Sequence, residues 1–211
     1  MQRVDGSLLV SATDLAAWLA CDHLASLELG ALAGLWRRPW DRDDPELAIL
    51  RQYGDEHERR YLDRLRAEGR SVVEFERPSD GSAEGLRAAE AATIAAMRDG
   101  VGAIYQATLF DGRWLGHPDF LVRVERPSPA FGAWSYEVVD TKLARSVKGG
   151  ALIQVCLYAA RLAELQGRVP EFVHVVTGDG HAHPVRLAEI EAYFRTVRLG
   201  FERVVFGGPS T

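Results

Sequence analysis

Apolar and polar positions change their period several times along this chain, and each change marks an element. From Ser11, the apolar residues Leu15, Trp18 and Leu19 keep helical spacing on toward Leu29, and Ser11 or Thr13 can cap the first turn. The run Gly34-Leu35-Trp36-Arg37-Arg38-Pro39-Trp40 breaks that helix. A second helix is expected from Pro45 to Ala67. Proline suits a first turn, His57, Tyr61 and Leu65 recur every fourth position, and Gly69 ends it. Ser71 to Phe75 reads as a short strand, and Ala83 to Met97 as an alanine-rich helix closed by Asp99-Gly100.

The period then shortens to two. Ala103 to Phe110 and Arg113 to Glu125 read as strands joined by the hairpin signal Asp111-Gly112. After a loop from Arg126 to Pro129, Trp134 to Lys142 forms a third strand. Gly149-Gly150 lead into a helix from Ala151 to Leu165, stopped by Gly167 and Pro170. Glu171 to Thr177 is a strand, Gly178-Asp179-Gly180 turns, His181 to Arg186 returns, and Leu187 to Val205 is a final amphipathic helix. This order predicts an α/β fold with a mixed central sheet flanked by helices. An N-terminal helical lobe is expected over residues 1–70, the core over 71–206 and a flexible tail over 207–211.

Composition narrows the picture. With 211 residues, 47% apolar and 26% charged, the chain resembles an ordinary globular protein able to bury its own core. The net charge of −5 argues against a polybasic binder, although acids gathered at a cation count toward that total. Cys21 and Cys156 suggest no disulfide framework and fit a reducing cytoplasm. They are too few for a four-thiolate cluster. Met1 to Val10 lacks a secretory-signal pattern, and no apolar run is long enough for a bilayer. The closing Gly207-Gly208-Pro209-Ser210-Thr211 reads as a frayed tail or the start of a linker.

The candidate chemistry lies at two strand ends. Gly116-His117-Pro118-Asp119 and Val138-Val139-Asp140-Thr141-Lys142 each finish an apolar run with an acid. In a strand, Lys142 shares the face of Asp140. If the two strands are neighbours, both carboxylates meet and suit the oxygen preference of Mg²⁺ or Mn²⁺. A lysine ammonium beside them can orient or help deprotonate a water and stabilise charge on a reacting phosphate. The bland alternative is two strand-ending acids and a surface lysine.

The set Pro118-Asp119 and Asp140-Thr141-Lys142 resembles the signature of the PD-(D/E)xK nuclease superfamily. Three further segments resemble its RecB-like exonuclease branch: Gly54-Asp55-Glu56-His57, Gln154 to Tyr158, and the opening helix from Ser11 to Cys21. The resemblance spans about Ser11 to Tyr158. It implies a restriction-endonuclease-like core whose metal is held by His57, Asp119, Asp140 and the Thr141 carbonyl. Asp119, Asp140 and Lys142 would be catalytic. Gln154 and Tyr158 would contact Lys142 or the nucleic-acid backbone. The implied activity is Mg²⁺- or Mn²⁺-dependent hydrolysis of DNA, on single strands or duplex ends, in repair, recombination or defence. The implied partner is a helicase, separate or fused. Many relatives carry a four-cysteine iron–sulfur cluster, which is not expected here.

Other signals are weaker. Arg145 and Lys148 follow the catalytic strand and can meet phosphates or simply be surface charge. Glu56 and Glu58 flank His57 but are turned from its face by helical geometry, which leaves them supporting roles at most. His181 and His183 share a strand face at a hairpin, either as metal ligands or as exposed hairpin residues. Trp36 to Trp40 interleaves indoles with cations, as single-strand binders do, or packs as a loop. Two rival functions stand beside the nuclease: a catalytically silent nucleic-acid-binding or assembly module, and a hydrolase of small phosphate-containing molecules.

Overall fold

A computed structural model describes residues 1–37 and 45–207. Its described residues form an α/β architecture of six helices and two mixed sheets. The main sheet has six strands in the order β10-β9-β8-β7-β4-β3. These are β3 (Val72–Glu74), β4 (Ala103–Tyr105), β7 (Phe120–Val124), β8 (Ser135–Thr141), β9 (Phe172–Val176) and β10 (Ala182–Arg186). β8 pairs antiparallel with β7 and parallel with β9, so it lies centrally. All seven of its residues are buried.

The alternation along β8 sends its residues to two different cores. Tyr136 and Val138 join the larger cluster with Ile153, Leu157 and Leu162 of α5 (Gly149–Gln166). Val139 joins a second cluster with Tyr61, Leu62 and Leu65 of α3 (Pro45–Ala67). The sheet is therefore covered by α5 on one face and by the C-terminal half of α3 on the other. The larger cluster also takes in Phe194, Val197 and Phe201 of α6 (Leu187–Phe206) and Met97 of α4 (Ala83–Arg98).

A second, four-stranded sheet was not expected. It has the order β1-β2-β6-β5, from β1 (Gln2–Val4), β2 (Ser7–Ser11), β5 (Leu109–Phe110) and β6 (Trp114–Gly116). Two readings are corrected by it. The run Ala103 to Phe110 is not one strand. Gln106 adopts φ 55°, the chain leaves the main sheet there, and β5 starts in the smaller one. Likewise Arg113 to Glu125 divides into β6 and β7 around His117-Pro118-Asp119. The first ten residues, read only as lacking a signal, form a hairpin whose turn is Asp5-Gly6, both at positive φ.

The first helix is also two. α1 (Ala12–Ala20) begins on a reciprocal capping box between Ser11 and Asp14 and stops at the extended Cys21. α2 (His23–Leu32) follows. Ala12, Leu15 and Ala25 pack into the same large cluster as α5 and α6. Trp36 packs on Gly30, and its indole N–H donates to the Leu27 carbonyl at 3.0 Å. Arg38, Pro39, Trp40 and the last four residues lie outside the described residues. Among the described residues no helix is long and apolar enough to cross a membrane.

Candidate active site

The two aspartates come together at the open end of β7 and β8. Phe120 is opposite Val139, which carries Asp119 to the level of Asp140. The Asp119 Oδ2 accepts both the backbone N–H and the hydroxyl of Thr141, at 2.7 and 2.8 Å. Its own carbonyl accepts the Gln106 N–H at 2.9 Å. Asp119 thus staples three chain segments.

Asp140 is only 1% exposed and far less satisfied. Its Oδ1 has no hydrogen-bond partner, and its Oδ2 meets only the Lys142 ammonium, as an ion pair. Burial pushes its carboxyl up to about 7. Asp119 and Glu58 add to that rise, and Lys142 opposes it. Burial alone would lower the Lys142 ammonium, but Asp140, Asp119 and Glu58 outweigh that and raise it. Lys142 therefore stays charged.

For Glu58 the sequence indicates a supporting role at most. The structure brings it into the field of both aspartates. Its Oε2 accepts the Tyr105 hydroxyl at 2.9 Å and the Gln106 side-chain amide at 2.8 Å. Burial raises its carboxyl, and Asp119 raises it further. Tyr105 is pushed up to about 12 by burial and by this glutamate. The signal available in sequence was only that Glu58 follows His57 on the expected helix.

His57 is placed differently from a simple partner of the two acids. It is 5% exposed, and its Nε2 lies 3.3 Å from the Val176 carbonyl. That same carbonyl accepts the Lys142 N–H at 2.8 Å. His57 thus braces the junction of β8 and β9, beside a cavity of about 240 Å³ that Arg60, Tyr61 and Arg64 also line. Among the described residues, no three of His, Cys, Asp and Glu form a group able to hold a metal ion. His181 and His183 form no such group either. His183 faces the Thr177 hydroxyl at 3.0 Å, while His181 is solvent-exposed.

On the α5 side, Gln154 donates to the Tyr158 hydroxyl at 3.0 Å. The Tyr158 ring lies where a β-carbon on Gly116 would come within 2.6 Å of it, so only glycine fits ahead of His117. Burial, then Asp140 and Asp119, raise the Tyr158 phenol. Arg145 and Lys148 are exposed on the loop from β8 to α5. Arg77, which the sequence did not single out, donates to the Gln106 side chain at 3.4 Å. Its charge, after burial, lowers His117.

No protein-family model and no characterised protein matches the chain. A functional reading therefore starts from the arrangement itself. Two carboxylates, one of them buried with an unpartnered oxygen, share a strand end with a charged lysine, and a third, Glu58, lies close enough to push the Asp140 carboxyl up.

Proposed function

We propose that the chain is a Mg²⁺- or Mn²⁺-dependent deoxyribonuclease with a restriction-endonuclease-like core, of the RecB-like kind. The observation that carries this reading is the bare, buried Asp140 carboxylate beside Asp119 and Lys142. A buried carboxylate with an ammonium on one oxygen and nothing on the other costs stability unless a ligand completes it. An oxygen-seeking cation is the fitting ligand. Mg²⁺ is commonly held by one or two carboxylates, with water and substrate phosphate supplying the rest, so no three-residue cage is required. Asp119 and Asp140 would hold it, with the Thr141 carbonyl as a further oxygen and Glu58 acting on the site through its charge. When bound, such an ion lowers the pKa of water and polarises a phosphodiester.

The chain's own groups would do the rest. Lys142, charged and tethered by Asp140, would orient the attacking water and balance charge gathering on the phosphate. Thr141 keeps Asp119 in position. Tyr105 and Gln106 fix one Glu58 oxygen and leave the other free of those two bonds. DNA with single-stranded character or free duplex ends is the proposed substrate, with a helicase as the proposed partner.

End-labelled single-stranded and duplex DNA incubated with Mn²⁺, and separately with EDTA, tests this. Shortening that needs the cation supports it, and intact DNA under every cation removes it. One observation favours the silent-module reading, namely the missing three-ligand group among the described residues. That reading expects DNA binding without cleavage in the same assay.

A further inference from the structure

Beside Lys142, a cavity of about 380 Å³ opens between α1, the β8–α5 loop and the first turns of α5. Its walls are chiefly aliphatic, including Ala16, Leu143, Val147 and Ala151. Lys142 and Gln154 also line it, so it borders the proposed reaction centre directly. Small-ligand pockets span about 300–1,000 Å³ and combine apolar walls with a few polar groups, and this cavity has that make-up. Leu143 is 39% exposed there, an apolar contact left open beside a highly polar site.

We propose that this cavity is a nucleobase subsite. It receives the base of a nucleotide next to the phosphodiester that Lys142 serves, and so selects strands whose bases are unpaired. The inference rests on the nuclease reading and names its substrate more narrowly. A base is a flat heterocycle whose faces suit aliphatic walls and whose edge needs hydrogen bonds. The amide N–H of Gln154 is used by Tyr158, which leaves its carbonyl oxygen to accept from that edge. Lys148 and the positive end of the α5 dipole bring positive charge to the lining, where the backbone phosphate would follow. A base in a duplex would first have to leave its stack and its partner.

Two fillings of the cavity test the idea from different elements, Ala151→Phe on α5 and Ser146→Trp on the exposed loop. Binding of a fluorescent thymidine oligonucleotide is measured in Ca²⁺ buffer, alongside a series with one abasic residue moved along the strand. Each variant should bind about tenfold more weakly than the wild type. One abasic position should cost the wild type a similar factor and cost Ser146→Trp little. Wild-type-like binding by both variants, equal binding of every abasic strand, or no binding by the wild type overturns the subsite. Mn²⁺-dependent cleavage is scored separately. Cleavage with unaffected variants removes only the subsite, and affected binding without cleavage removes only the nuclease activity.

Discussion

Glu137 and Asp140 are both buried acids of β8, three positions apart, and their surroundings differ in kind. Glu137 accepts the Phe172 N–H at 3.2 Å, and its other oxygen lies 2.8 Å from the His174 ring. Asp140 has the Lys142 ammonium on one oxygen and nothing on the other. A buried acid that serves the fold is supplied with donors, as Glu137 is, and as Glu90 is by Arg161 and the Phe110 N–H. A half-partnered acid in a central strand weakens the fold, which is the ground for proposing a task for it outside the fold. One strand thus holds a fully partnered acid and a half-partnered one.

Removing each charge should pull the two acids apart most clearly. Asp140→Asn should lower Mn²⁺-dependent cleavage by about three orders of magnitude, equivalent to about 4 kcal/mol of barrier. Glu137→Gln should leave turnover within about threefold while lowering the melting temperature. Equal losses in labelled-DNA assays would erase the distinction. Lys142→Ala should cost about a hundredfold in turnover, with Mn²⁺ affinity by calorimetry nearly unchanged.

The neighbours on α3 give a smaller contrast. Glu58→Gln should weaken Mn²⁺ binding by about tenfold or more. His57→Ala should act mainly on thermal stability, because it frees the Val176 carbonyl from its brace. The reverse order would return the ligand role to the imidazole. The smallest effect is a pH slope in metal-free protein. Asp140 holds its proton more tightly when folded than when unfolded. Its contribution to stability is therefore complete below the ordinary aspartate range and lost as pH rises through about 7. The wild type should melt lower at pH 8 than at pH 6, and Asp140→Asn should flatten that difference, on the order of 1 kcal/mol.

Much of this site was legible because it lies on a strand. Alternation alone puts Asp140 and Lys142 on one face, and the nearby Asp119 follows once β7 and β8 pair. Glu58 was not legible in the same way. Helical spacing says which residues share a face, but not which strand ends that face will cover, and His57 and Glu58 are divided between β9 and β4. The break of Ala103 to Phe110 had no marker either, since Gln106 is not a residue that announces positive φ. The Asp5-Gly6 turn carries the same dipeptide as Asp111-Gly112, but the three-residue flank before it, Gln2-Arg3-Val4, is too short and polar to show a strand period. Cys21 ended α1 without glycine or proline, so sequence ran α1 and α2 together.

The two hydrogen bonds that Thr141 donates to a single Asp119 oxygen make that aspartate a hinge pin as well as an anion. Alanine at position 119 would let the tip of β8 swing free and would blur loss of charge with loss of alignment. Asparagine keeps an oxygen for Thr141 to grip, so the carboxamide isolates the electrostatic part, and comparing the two replacements would measure how far alignment at this tip depends on one atom.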